Sequence, residues 1–120
     1  MITLQTRSRA PSLFRALADA TRIRILPLLK DGELCVCDLM GILRVPQAKT
    51  SRHLAYLRRA GLVTVREDGL WAYYSLAPVE GALHQRLIAC LEVCCEDLPI
   101  IRADMKRAQV IRKGAACCPP

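Results

Sequence analysis

Between residues 35 and 76 the hydrophobic pattern changes character in a fixed order, and that order limits the fold more than any other feature. Apolar residues first recur at helical spacing, Leu39 with Ile42 or Leu43, then Leu54 and Leu57. Val45-Pro46 separates the two runs, because proline disfavours helix at the residue before it, and Gly61 stops the second. The chain then becomes rich in β-branched and aromatic residues over 62–66 and 70–76, with Glu67-Asp68-Gly69 as a turn signal between them. Two short helices across a break, followed directly by a hairpin, predict a mainly α chain with a small β-hairpin: a winged helix-turn-helix.

The flanks read more simply. Residues 1–11 are polar and basic, end at Pro11, and are expected to be a flexible arm. Ser12 is placed to cap a helix carrying Leu13, Phe14, Leu17 and Ala18. Asp19 can cap a second helix with Ile23, Leu26 and Leu29 on one face, closed by Asp31-Gly32 and irregular at Pro27. Past Pro78 a long helix is expected to about Asp97, with Leu83, Leu87, Cys90, Leu91, Cys94 and Leu98 in one stripe; beyond Pro99 a basic amphipathic helix should cover 100–113. Residues 12–113 thus form one DNA-binding and dimerisation domain, followed by a flexible tail at 114–120. At 120 residues and 52% hydrophobic the chain can bury a core without covalent staples. No apolar run approaches the roughly 18 residues that span a bilayer, and MITLQTRSRAPS has no long apolar segment to serve as a signal. A cytoplasmic protein with no membrane partner is expected.

The formal charge of +7 is uneven. Residues 44–66 hold Arg44, Lys49, Arg52, Arg58, Arg59 and Arg66 and no acid, so the helix-turn-helix and hairpin attract a polyanion. The second helix of such a motif can lie in the major groove of double-stranded DNA. Gln47, Lys49, Thr50, Ser51, Arg52 and His53 form a dense polar block at its N-terminal half, where free backbone N–H groups also meet phosphate. Arg66 on the hairpin can hold a phosphate or reach the minor groove. One module this small makes few base contacts, so a homodimer on an inverted repeat is the natural expectation, with the stripe of the long helix and part of the first helix as its contact surface.

Seven cysteines are the second unusual feature, and six of them pair: Cys35/Cys37, Cys94/Cys95 and Cys117/Cys118, with Cys90 alone. In a reducing compartment, close thiols point to soft-metal binding or redox chemistry rather than structural disulfides. Cys35 and Cys37 begin the helix before the break, where the positive end of the helix dipole favours thiolates. Two residues apart in a regular helix point about 200° away from one another, so gripping one ion requires a non-helical or distorted first turn; distortion there would shift the DNA-binding element. An enzyme is not expected, since no CxxC accompanies a βαβ pattern and no Gly-rich phosphate loop or credible Cys-His-acid set occurs.

The strings LFRALADATRIRIL (13–26), GELCVCDL (32–39), SRHLAYLRRAGLV (51–63) and WAYYSL (71–76) resemble the ArsR/SmtB family of bacterial metal-responsive repressors. The resemblance implies a homodimeric winged helix that represses an operon and leaves its operator when an inducer binds. It places Gln47, Ser51, Arg52 and His53 in the recognition helix and Arg66 in the wing. ELCVCDL is similar to the arsenite- and antimonite-responsive members, where a three-thiolate As(III) or Sb(III) site includes both cysteines and a third one three residues beyond the second. Here that position is Met40, a neutral and poorer donor. Either two thiolates act, which would suit a methylated As(III) species, or a third arrives from Cys94, Cys95, Cys117 or Cys118; Cys94 and Cys95 could also form a second site. Rival readings keep the fold and change the signal. One is a thiol redox or persulfide sensor; the other is a Zn or Cd sensor, which would need His and carboxylate ligands along the long helix, where His84 is the only histidine. His84 is expected to be solvated or at the dimer surface, and His53 to face either DNA or the helix packing.

Overall fold

The computed structural model of the chain describes residues 4–115, with side chains for 9–114. The elements run α1 (Leu4–Leu17), α2 (Ala20–Leu28), a 3₁₀ turn (Leu29–Asp31), β1 (Leu34–Cys35), α3 (Val36–Leu43), α4 (Gln47–Arg59), β2 (Val63–Asp68), β3 (Trp71–Leu76), α5 (Gly81–Asp97), α6 (Pro99–Val110) and a wide terminal turn (Ile111–Ala115). Helix α2 touches α1, α3, α4, α5 and α6, and the core of Leu13, Ile25, Leu26, Leu39, Ile42, Leu54 and Leu57 surrounds it.

Local signals set most boundaries. Asp19 caps α2 from extended backbone, its carboxylate accepting the Thr21 and Arg22 amides at 2.8 and 3.1 Å. Pro27 stays inside α2, and the irregularity expected there is the 3₁₀ turn that follows. Helix α4 ends in a Schellman motif: Gly61 has φ +80°, its amide donates to the Arg58 carbonyl, and the Leu62 amide donates to the Leu57 carbonyl. Leu62 and Leu57 are both fully buried, the apolar contact that usually accompanies this cap.

Two sequence expectations are corrected. Residues 4–11 are not a free arm: α1 starts at Leu4 and carries Pro11 and Ser12 in its interior. The missing Pro11 amide costs one helical bond, but Arg9 is tied to α5 through Glu80 at 2.6 Å and His84 at 3.1 Å, which fixes this end of the chain. The hairpin is part of a three-stranded antiparallel sheet of order β1-β3-β2, with Leu34 opposite Tyr74 and Cys35 opposite Tyr73. Strand β2 also runs through Asp68, opposite Trp71, leaving Gly69 (φ +61°) and Leu70 as the two turn residues. The α5 stripe, expected as a contact surface for a second copy, is half uncovered within one chain: Leu91 is buried and Leu87 and Cys94 are half-buried, whereas Leu83, Cys90 and Leu98 are exposed.

Candidate functional site

The link between α3 and α4 is three residues long, and two unusual local devices shape it. Arg44 takes left-handed backbone (φ 58°) as the C-cap of α3, its amide donating to the Met40 carbonyl at 2.8 Å. Pro46 precedes α4 and supplies no side-chain cap, so the first amides of α4 face outward with no side chain on them. Around these amides Gln47, Lys49 and Arg52 are exposed and Ser51 is half-buried. With Arg58 and Arg59, also exposed, they make one basic helix face.

Two expected DNA contacts are turned inward. Thr50 is fully buried and its hydroxyl donates to the Val45 carbonyl at 3.2 Å, bracing the turn instead of meeting solvent. His53 lies on the packing side, its Nδ1 3.2 Å from Arg22 Nη1 and 3.7 Å from the Asp19 carboxylate. Burial, with Arg22, Lys49 and Arg52 nearby, lowers the His53 pKa against the opposing pull of Asp19. Arg22 also lies 4.2 Å over the Tyr56 ring and donates to the Ala16 and Arg15 carbonyls. One guanidinium thereby fixes the rotation of α4 against α1 and α2. Burial opposes ionisation of Asp19, but the two amide bonds and the neighbouring charges outweigh it, and its pKa is lowered.

Arg66 lies on wing strand β2 and is exposed; it donates to the Glu33 carboxylate at 2.6 and 3.2 Å and stacks 4.4 Å over Tyr73. The tip itself carries exposed Glu67 and Asp68.

The junction of β1 and α3 holds the thiols. Cys35 is the last residue of β1 and the N-cap of α3, with extended backbone (φ −80°, ψ 161°); Cys37 is in the first helical turn. The expected conflict of side-chain direction therefore does not arise. Extended backbone at Cys35 swings its side chain over the helix end, so Sγ accepts from the Asp38 amide at 3.4 Å and lies 3.0 Å from Cys37 Sγ. The pairing of Cys35 with Tyr73 in the sheet holds that backbone in place, and the buried Tyr73 ring packs on both cysteines. A third donor that the sequence reading passed over is Asp38, which is buried: its carboxylate and the two sulfurs lie within 4.8 Å of one another. An acid in a first helical turn is common for dipole reasons, so only its adjacency to the CxC spacing could have marked it.

The other thiols sit elsewhere. Cys94 packs on the main core, and Cys95 lines an apolar cavity of about 40 Å³ with Leu26, Pro27 and Leu91, where burial pushes its thiol pKa up. Among the described residues no third donor joins them. Cys117 and Cys118 lie outside the described residues. His84, expected at a surface, is buried: its Nδ1 accepts the Glu80 amide at 3.1 Å and its Nε2 has no partner among the described residues. Burial, then Arg9, lowers its pKa. No helix among the described residues is long and apolar enough to cross a membrane.

A basic helix presented by a helix-turn-helix and flanked by a three-stranded wing defines a winged-helix DNA-binding regulator. A family model described as bacterial regulatory protein, arsR family, matches residues 19–65. The arsenic resistance transcriptional regulator ArsR1 of Pseudomonas putida is 51% identical over 69 residues, covering 57% of this chain and 54% of that protein. ArsR2 of the same organism is 44% identical over 84 residues, covering 68% and 73%. The solution structure of a homodimeric winged helix-turn-helix DNA-binding domain from Mycobacterium bovis, Mb0332, described as a possible ArsR-family transcriptional regulator, superposes with a TM-score of 0.63 at 29% identity, covering 78% of this chain and 83% of that one. The chain belongs to the arsR family of bacterial regulatory proteins, whose members are transcriptional regulators rather than enzymes. The alignment to ArsR1 spans little more than half of that protein's length.

Proposed function

We propose that this protein is a transcriptional repressor that binds operator DNA as a homodimer and is released when trivalent arsenic binds Cys35 and Cys37. The observation that carries this reading is the convergence of the two sulfurs, 3.0 Å apart, at a junction that leads into α3 on one side and is paired to wing strand β3 on the other. A soft ion favours thiolates over carboxylate or imidazole, and the close relatives are named for arsenic resistance. Sb(III) shares this chemistry. Gln47, Lys49, Ser51 and Arg52 are the side chains assigned to DNA. The uncovered α5 stripe is assigned to a second copy of the chain, in keeping with the homodimeric M. bovis domain.

With Met40 where a thiolate would serve, either the two thiolates act alone or a third donor completes the site, from Asp38, from Cys94 or Cys95, or from a tail thiol. Arg112 donates to the Gly32 and Glu33 carbonyls, three and two residues before Cys35.

The test is a titration of the operator complex, in reductant, with As(III), methyl-As(III), Sb(III), Zn(II) and Cd(II). The double variant Cys35→Ser/Cys37→Ser should hold the operator within about threefold of the parent and lose release by As(III). Failure of that variant to bind DNA would make the thiols structural. The same titration of Cys94→Ser/Cys95→Ser and Cys117→Ser/Cys118→Ser identifies the completing donor. The 3.0 Å spacing also suits a second reading, oxidation of the pair to a disulfide. There two thiols give up two protons and two electrons, and peroxide takes them up as two waters. Release by peroxide but not by As(III) would favour it.

A further inference from the structure

Helix α6 lies outside the matched residues 19–65, yet it is bonded to the last turn of α3, and its terminal turn to the segment that leads into β1 and the thiols. At the exit of α3, Arg107 Nε donates to the Ile42 carbonyl at 2.9 Å and Arg24 Nη2, from α2, donates to the Leu43 carbonyl at 3.0 Å. These last-turn carbonyls have no partner within their own helix. Asp104, fully buried, sets both arginines: it accepts from Arg24 at 2.8 and 2.9 Å and from Arg107 at 2.7 Å. One carboxylate between two guanidiniums leaves a net positive cluster at the negative end of α3. On the other side of the junction, Arg112 donates to the Leu28, Gly32 and Glu33 carbonyls at 3.0, 2.7 and 3.3 Å. It lies across bare backbone: Gly32 has φ +130°, and a Cβ there would come within 3.2 Å of Arg112 Nη1.

We propose that α6 and its terminal turn are a clasp that makes the thiol-bearing start and the turn-bearing end of α3 move as one piece, with Arg107, Arg112 and Asp104 as positioning residues for inducer release. Helix α3 has eight residues. A helix that short is marginal by itself, and a displacement at Cys35 and Cys37 would be absorbed by fraying before it reached Arg44 and α4. Bonds at the exit of α3 and on the backbone just before Cys35 remove that slack. The inference rests on the reading that the thiols receive the inducer.

The experiment uses the full, reduced chain and the variants Arg107→Ala, Arg112→Ala and the pair. Neither side chain is fully buried, and Asp104 keeps its Arg24 fork in all three. Operator affinity is measured with and without saturating As(III), and the ratio is the coupling factor. Operator affinity without As(III), and As(III) affinity without DNA, should each stay within about threefold of the parent. The coupling factor of the double variant should fall at least tenfold, which a merely stabilising role would not produce. A coupling factor equal to the parent's overturns the clasp. Amide hydrogen exchange gives a readout that needs no metalloid: α3 should lose protection in both single variants while α5 keeps its own. If the parent shows no coupling, the inducer reading fails, and exchange alone decides. Unchanged α3 protection then overturns the clasp.

Discussion

Thr50→Val separates two roles that the polar block at the start of α4 leaves entangled. Valine keeps the shape of threonine and removes only the hydroxyl, which in this fold donates to the Val45 carbonyl at 3.2 Å from a fully buried position. A neutral hydrogen bond contributes about 1 kcal/mol net, and leaving its acceptor without a partner raises the loss to about 1–2 kcal/mol. Unfolding entropy near 2.1 cal/mol/K per residue comes to about 0.25 kcal/mol per kelvin for a chain of this size. The melting temperature should therefore fall by roughly 4–8 °C, measured by calorimetry at one fixed protomer concentration because dimerisation shifts it. Operator binding, followed below the melt at several salt concentrations, should keep its salt slope, since no phosphate contact is removed. A melting temperature within about a degree of the parent's, together with a tenfold weaker operator complex, would refute the structural role and return Thr50 to the DNA surface.

The remaining expectations concern the exposed face of α4 and the two shielded histidines, His53 half-buried and His84 buried. Arg52→Ala should weaken operator binding and reduce the magnitude of the salt slope by about one if the guanidinium holds a phosphate, or relax base preference with little change in slope if it reads the groove; unchanged affinity removes it from the interface. Burial lowers the pKa of both His53 and His84 below the ordinary 6.5. The folded chain then binds fewer protons than the unfolded chain between the lowered values and 6.5, so this stability is complete above pH 6.5 and is lost as pH falls through that window. Thermal melts from pH 7.5 to 5.5 should show the decline. His84→Asn, which can still accept the Glu80 amide but does not titrate, should flatten it, and an equally steep decline in that variant would exclude His84 as a source.

Much of the fold was legible because the signals that fix it are short-ranged. The Asp19 cap, the Val45-Pro46 break and the Gly61 stop each act within four or five residues, and each ends or begins an element where expected. The strand that anchors the site was not legible. At two residues β1 is too short for any periodicity, and its partners Tyr73 and Tyr74 lie about forty residues on. The α1 boundary failed for the same kind of reason: Pro11 marks a break locally, while the contacts holding this end come from Glu80 and His84.

The sequence by itself determined the order of elements, the basic character of the recognition helix and the presence of paired thiols, because capping, turn chemistry, hydrophobic period and charge are properties of neighbouring residues. Only the tertiary structure decided which members of those sets are available for function. Thr50 and His53 share the sequence neighbourhood of Lys49 and Arg52 but face the core, since the rotation of α4 is set by Arg22, Leu54 and Leu57 packing against other helices. Arg66 stays an exposed cation on the wing, but its direction is set by Glu33, thirty-three residues away. Cys35 and Cys37 diverge in any regular helix and converge here because pairing with Tyr73 keeps Cys35 extended. Side-chain direction follows from backbone conformation, and at these positions the backbone conformation follows from contacts that close only when distant parts of the chain meet.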